Sequence, residues 1–379
     1  MVDRSNIRLR NITFVVCVCY LVYFIFPFPP IVWRLSLVAL CMYAVLFKSH
    51  CFSTLEKWML TLSTINIVYY FVAFTTSGYK GFTSVGNNLC AFLPLCLFSY
   101  LAKKGTMTEK FVRVMTIVLL LACVAYYVHY EQMRIMAKEL DEEESTTINA
   151  STVFLMMLPL LFYEKRRVLL YAELAICVFF IVSAVKRGNI VAAVFPVTIL
   201  LWFQFQDSKK NATRLLFLII AMVVGAYYLR EYLSNSYYFQ LRLEDTMEGN
   251  SSGRDRIYAA AFNVWLDSDF FHLLFGNGFR AVTRTIGTPA HSDWIEILVD
   301  NGVFGILFYL GIFISFFRVI CRTHTIPDKL VLWSAFFAWF AKSIYSMAYV
   351  EGHMFLLMIA VGLAMGRPKQ EIEVLDESH

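Results

Sequence analysis

Long, almost uncharged stretches follow one another along most of the chain, separated by short polar connections. Runs of roughly 17–25 apolar residues are what a helix needs to cross the hydrocarbon core of a bilayer. The pattern predicts about twelve such helices, near 11–28, 31–47, 58–74, 84–102, 111–128, 150–163, 168–185, 189–206, 214–232, 293–317, 330–349 and 353–365. The sixth and twelfth are short for a span. Two polar stretches interrupt the series on the outer side: an acidic loop at 129–150 and a long loop at 233–292.

Composition agrees. Hydrophobic residues make up 59% and charged residues 16% of the chain, far from soluble usage. Length alone would suggest two or three soluble domains. The apolar runs instead make residues 1–379 a single integral membrane domain, an all-α polytopic membrane protein. The net charge of +5 is no nucleic-acid signature, because basic residues in such a chain first report topology. With the N-terminus inside, 20 of the 33 Lys and Arg fall in inner connections, so both termini are expected to be cytoplasmic. The first apolar stretch lacks a small-x-small cleavage site and reads as an uncleaved first helix. The nine cysteines fall in spans or on the inner side, and no disulfide framework is expected.

Polar residues at membrane depth are few. Asn66, Asn87 and Asn88 read as amides that bond a neighbouring helix. Glu173, near the inner end of its span, can reach water or pair with Arg166 or Arg167; Lys342 can snorkel outward or line a charged cavity. The run Glu139-Leu-Asp-Glu-Glu-Glu144 reads as a solvated loop.

Chemistry is expected in two places. The first is Val185-Lys186-Arg187-Gly188-Asn189, between spans seven and eight. Lys186 and Arg187 sit on the outer surface, against the positive-inside preference, which suggests a bound anion; two snorkelling cations are the alternative. The second is the stretch from Ser251 to Gly305. Ser252-x-x-Asp255 opens a short amphipathic helix with Arg254 and Arg256 at its start, where free N–H groups favour an anion. Gly276-Asn-Gly278 marks a turn, and Arg280 and Arg284 add cations. Ser292 is placed to cap span ten, which leaves His291 at the water–membrane boundary, either a structural histidine or a proton acceptor. Asp293, Glu296 and Asp300 share one helix face and are expected to look into a polar cavity.

Residues 145–317 resemble the O-antigen ligase and O-antigen polymerase superfamily of bacterial surface-glycan assembly. The ligases carry His, then Asn, Ser or Gln, nine residues, and Gly-x-x-Gly/Thr/Tyr; here that reads His291-Ser292, nine residues to Asn301, and Gly302-Val-Phe-Gly305. Arg187 and Arg254 match two arginines that the family places at the outer end of the equivalent span and in the long loop. The polymerases' Arg-x10-Gly pattern is not kept, since Thr198 and Trp265 stand where its glycines would fall. The passage Trp265…Leu274-Phe-Gly276-Asn-Gly278 leans toward the polymerases.

The resemblance implies a membrane glycosyltransferase, GT-C-like, of about twelve helices, in the bacterial inner membrane with its site facing the periplasm and with no metal or other cofactor. The implied donor is an oligosaccharide on undecaprenyl diphosphate. The acceptor is a growing lipid-linked glycan for a polymerase, or lipid A core for a ligase, and a chain-length regulator and a flippase are the implied partners. In that scheme Arg187 and Arg254 stabilise the leaving diphosphate and His291 takes the acceptor proton. Lys186, Arg256, Arg280, Arg284, Asp293 and Glu296 bind or tune the substrates. The rival from another class is a secondary transporter or flippase; against it, no two halves match and the charges gather on the outer side.

Overall fold

The computed structural model describes residues 3–48, 51–72, 74–139, 148–184, 186–206 and 253–367. The expected span at 214–232, the start of the long loop and the acidic residues 140–147 lie outside these. All regular structure among the described residues is helical, and helices stand where the other eleven spans were read. Four of the stretches, Pro30–Phe47, Phe82–Lys103, Glu109–Met133 and Asp293–Arg322, are long and apolar enough to cross a membrane on their own.

The first half forms α1 (Arg4–Leu21), α2 (Pro30–Phe47), α3 (Thr54–Val72), α4 (Phe74–Lys103) and α5 (Glu109–Glu139). Local chemistry sets their starts. Pro30 opens α2 as its first residue, where a missing N–H costs nothing. Ahead of α3, Ser53 N–H donates to Glu56 Oε2 at 2.6 Å and Glu56 N–H to Ser53 Oγ at 3.2 Å, a reciprocal capping box. Helix α5 runs past the expected end of its span, so the first part of the acidic loop is helical.

The two stretches that looked too short are the innermost. Residues 150–164 are all buried, with α6 (Thr152–Met157) flanked by 3-10 turns. The last helix, α14 (Phe355–Gly366), is buried at every position but Met365. A helix wrapped by other helices does not meet lipid, so its length need not match the bilayer. Helix α14 lies along α4 through Gly362-x-x-x-Gly366: a Cβ at Gly362 would come within 2.8 Å of Phe98 Cβ. Small residues on one face let two backbones approach this closely.

Around them stand α7 (Arg167–Ser183), α8 (Arg187–Gln206), α12 (Asp293–Arg322) and α13 (Ile326–Tyr345), with α13 packed along α8. The long loop contributes α9 (Arg254–Leu266), α10 (Phe270–Phe275) and α11 (Ala281–Ile286). Membrane-depth amides bond across helices. Asn301 Nδ2 donates to Asn66 Oδ1 at 3.3 Å, and Asn88 Nδ2 to the Tyr349 carbonyl at 2.8 Å. Glu173 is buried with Glu164 and Arg113, not Arg166 or Arg167, as its charged neighbours.

Candidate functional site

The site is framed by a break in α12. Gly302 has φ 67° and ψ −163°, which interrupts the helical ladder and frees carbonyls one turn earlier. The turn after α10 fills the gap: Asn277 N–H donates to Val299 O at 2.8 Å and Gly278 N–H to Asp300 O at 3.0 Å. Both backbones must be bare where they meet. A Cβ on Gly302 would overlap the Leu274 carbonyl, and one on Gly276 the Asp300 carbonyl. The glycines of the His291–Gly305 motif therefore hold the loop onto the membrane helix.

The three acids of α12 do the same work. Asp293, Glu296 and Asp300 are fully buried. Asp293 accepts from Tyr309 Oη, from Ala348 N–H at 2.7 Å and from Tyr349 N–H at 3.4 Å, fixing the connection after α13. Glu296 accepts from Ala290 N–H at 2.8 Å. Asp300 accepts from Arg280 and Ala281 N–H at 2.7 and 2.8 Å, at the start of α11. The expected polar cavity is replaced by backbone donors: Asp293 and Glu296 position loops behind the site and present no open face to a substrate.

These clamps support two unusual residues. Arg280 (φ 60°) and His291 (φ 58°) are the only non-glycine residues with positive φ among the described ones. A left-handed conformation costs such residues on the order of 1–3 kcal/mol and persists only when its surroundings impose it. Asp300 holds Arg280, and Glu296 holds Ala290 beside His291. Ser292 stands at the start of α12, but its hydroxyl makes no cap; it donates instead to the Ser343 carbonyl at 3.5 Å.

His291 is thereby fixed, half-buried, near two cations. Burial, then Arg254 and Lys186, push its imidazole below the usual histidine range. Lys186 is pushed down to about 7 by burial and by Lys342 and Arg254, with Glu351 opposing. Arg254 Nη1 donates to the Tyr345 carbonyl at 2.9 Å, at the end of α13. Gly188 packs on the same residue, and a Cβ there would lie 2.9 Å from Tyr345 Cβ. Tyr345 thus joins the Lys186-Arg187-Gly188 connection to the start of α9, and Arg187 is the first residue of α8.

Residues 172–310 match the family model for O-antigen ligase. The chain carries an O-antigen ligase-family domain. Members of that family are glycosyltransferase-like enzymes. No curated protein matches the chain.

The ligase-family domain runs from α7 into α12 and contains Lys186, Arg187, Arg254 and the whole His291–Gly305 motif. Its other arginines diverge from the cluster. Arg256 is exposed and, two positions from Arg254, points to the opposite side of α9. Arg280 Nη2 reaches Thr283 Oγ1 at 3.3 Å, and Arg284 Nη2 donates to the Asn277 carbonyl at 2.6 Å, bracing the turn that fills the α12 break. Ser252 lies outside the described residues; Gly253, with φ 74°, is the residue before α9 and no side chain caps it.

Beyond the ligase-family domain, the structure adds charges that sequence reasoning left undecided or passed over. Lys342 is buried, with Nζ 3.8 Å from Glu351 Oε2, so it belongs to a charged interior and does not snorkel. Burial alone would raise Glu351, but the His353 hydrogen bond (2.9 Å) and Lys342 hold it down at about 2. One signal was available: Glu351 lies in a short connection, as Lys186 does, at the end of the span that carries Lys342.

Proposed function

We propose that this protein is a glycosyltransferase at the outer face of the inner membrane. It transfers an oligosaccharide from undecaprenyl diphosphate to a growing lipid-linked glycan, as a surface-polysaccharide polymerase. The observation that carries this reading is the convergence of Lys186, Arg254 and His291, from three separate stretches of chain, inside a ligase-family domain. Diphosphate is already a competent leaving group, so displacement at the anomeric carbon needs cationic stabilisation of the departing charge more than acid assistance. Arg254 and Lys186, with Arg187 at the start of α8, supply it; a guanidinium does so with two parallel donors.

The acceptor hydroxyl must lose a proton as it attacks. His291, held neutral by burial and by the cations, has a ring nitrogen free to accept it. Asp293, Glu296 and Asp300 keep the loops in register from behind. Transfer to lipid A core is the second reading, favoured by the His291-Ser292-x9-Gly302-x-x-Gly305 motif and by the family description itself.

Purified protein in lipid, given its lipid-linked repeat with and without lipid A core, separates the readings. Glycan ladders formed without core are expected. Transfer only when core is present would make the protein a ligase, and no transfer under either condition would overturn the class.

A further inference from the structure

The outer loop exposes large apolar side chains where a water-facing loop would not. Phe270 is 76% exposed, Phe271 63%, Leu266 50% and Phe262 43%. At about 100° per residue, Phe270, Phe271, Leu274 and Phe275 share one arc of α10, and Asp269 and His272 fall on the opposite arc. Helix α10 is thus amphipathic despite its single turn and a half. It is held rigidly: Trp265 Nε1 donates to the Leu273 carbonyl at 3.1 Å, and Tyr69 Oη of α3 donates to the Phe275 carbonyl at 2.6 Å.

What covers this face is indicated by α12. Below the Gly302 break, Phe304, Leu307, Leu310, Ile314 and Phe317 are exposed at helical spacing, the stripe a membrane-crossing helix turns toward lipid. The α10 face continues that stripe, because the Phe275 and Phe304 rings meet at 5.0 Å, and Phe271 meets Phe275 at 4.8 Å. Depth agrees. The segment of α12 after Gly302 is about 30 Å long at 1.5 Å per residue, which matches the hydrocarbon core. Phe304 therefore stands at the outer edge of the core and α10 at the boundary between acyl chains and headgroups.

We propose that α10, with the exposed face at the end of α9, is buried in the outer leaflet of the membrane that α12 crosses. The occupant of the apolar face is bilayer lipid. Helix α9 then runs from a leaflet-anchored end at Leu266 to Arg254, so the anchor sets the height of the arginine relative to the lipid headgroups. Interfacial helices of this kind bind through buried apolar area, with the polar arc left in water.

Single cysteines at Phe270→Cys and Phe271→Cys, with Asp267→Cys as a water-side control, test this in the full chain. Spheroplasts are treated with a membrane-impermeant maleimide and, separately, with a membrane-soluble one; the unsubstituted chain gives the background of native cysteines. Asp267→Cys is expected to react readily with both reagents. Phe270→Cys and Phe271→Cys should react at least tenfold more slowly with the impermeant reagent and normally with the soluble one. Equal rates with the impermeant reagent would overturn the proposal. So would disulfide-linked dimers of Phe270→Cys on mild oxidation, since a second copy of the chain would then cover the face. No readout depends on glycan transfer, so the result is independent of the proposed reaction.

Discussion

The acids of α12 follow directly on His291 in sequence, yet they and the cations gathered around that histidine are built in opposite ways. Asp293, Glu296 and Asp300 are wholly buried, and each accepts from at least one backbone N–H group. Lys186, Arg254 and His291 are partly open, and Arg254 disfavours the charged form of both the lysine and the histidine. A buried charge with dedicated donors is architecture; a group of like charges left partly open is poised for a ligand of the other sign.

The sharpest way to break this contrast is to remove the architecture. Gly302→Ala should yield little folded protein, because the new methyl overlaps the Leu274 carbonyl and the residue cannot easily hold φ 67°. Membrane-fraction yield and gel filtration in detergent check it, and a normal yield would mean that the α12 break is dispensable. His291→Asn comes next. Asparagine tolerates the left-handed backbone, so the protein should fold normally while transfer falls by about 10²–10⁴-fold, the usual worth of a general base. Near-normal polymer would remove His291 from the chemistry.

Asp293→Asn should show the reverse pattern. Turning an amide toward donors that expect a carboxylate costs about 1–3 kcal/mol of stability. The transfer rate per folded molecule should be much less affected than in His291→Asn; comparing melting temperature with rate decides. The mildest change is Lys186→Met. Removing a cation near His291 lets its imidazole rise toward the ordinary range. Because the neutral form accepts the proton, the acid limb of the pH–rate profile should move to higher pH. An unmoved limb would mean that some other group sets it.

The sequence revealed the helical architecture and the place of the site more readily than the roles within it. Apolar runs marked eleven of the described helical stretches, because membrane length is a strong constraint on composition. Lys186 and Arg187 stood out as a cation pair in a connection where the positive-inside preference expects none. The acids of α12 were legible as a face but misread as facing a cavity. Apart from the hydroxyls of Tyr309 and Tyr349, their partners are main-chain N–H groups of residues 280, 281, 290, 348 and 349, and a main-chain donor leaves no trace in residue type. For the same reason Arg280 and Arg284 were read as secondary substrate-binding candidates behind Arg254, although Arg284 braces a carbonyl within its own loop. Glu351 was missed because its one signal, a lone acid in a short connection after the span that carries Lys342, is weak, and the fold is what brings it to that lysine.

The small-residue seam between α4 and α14 bears on how the chain is made. Its two faces are written near opposite ends of the sequence, so during synthesis α4 enters the membrane long before its partner exists. Until Gly362 and Gly366 arrive, the groove around Phe98 and Ala102 must be filled by lipid or by the insertion machinery. A helix made late is therefore the keystone of one made early, and a chain cut short before Phe355 would carry an open groove that marks it for quality control.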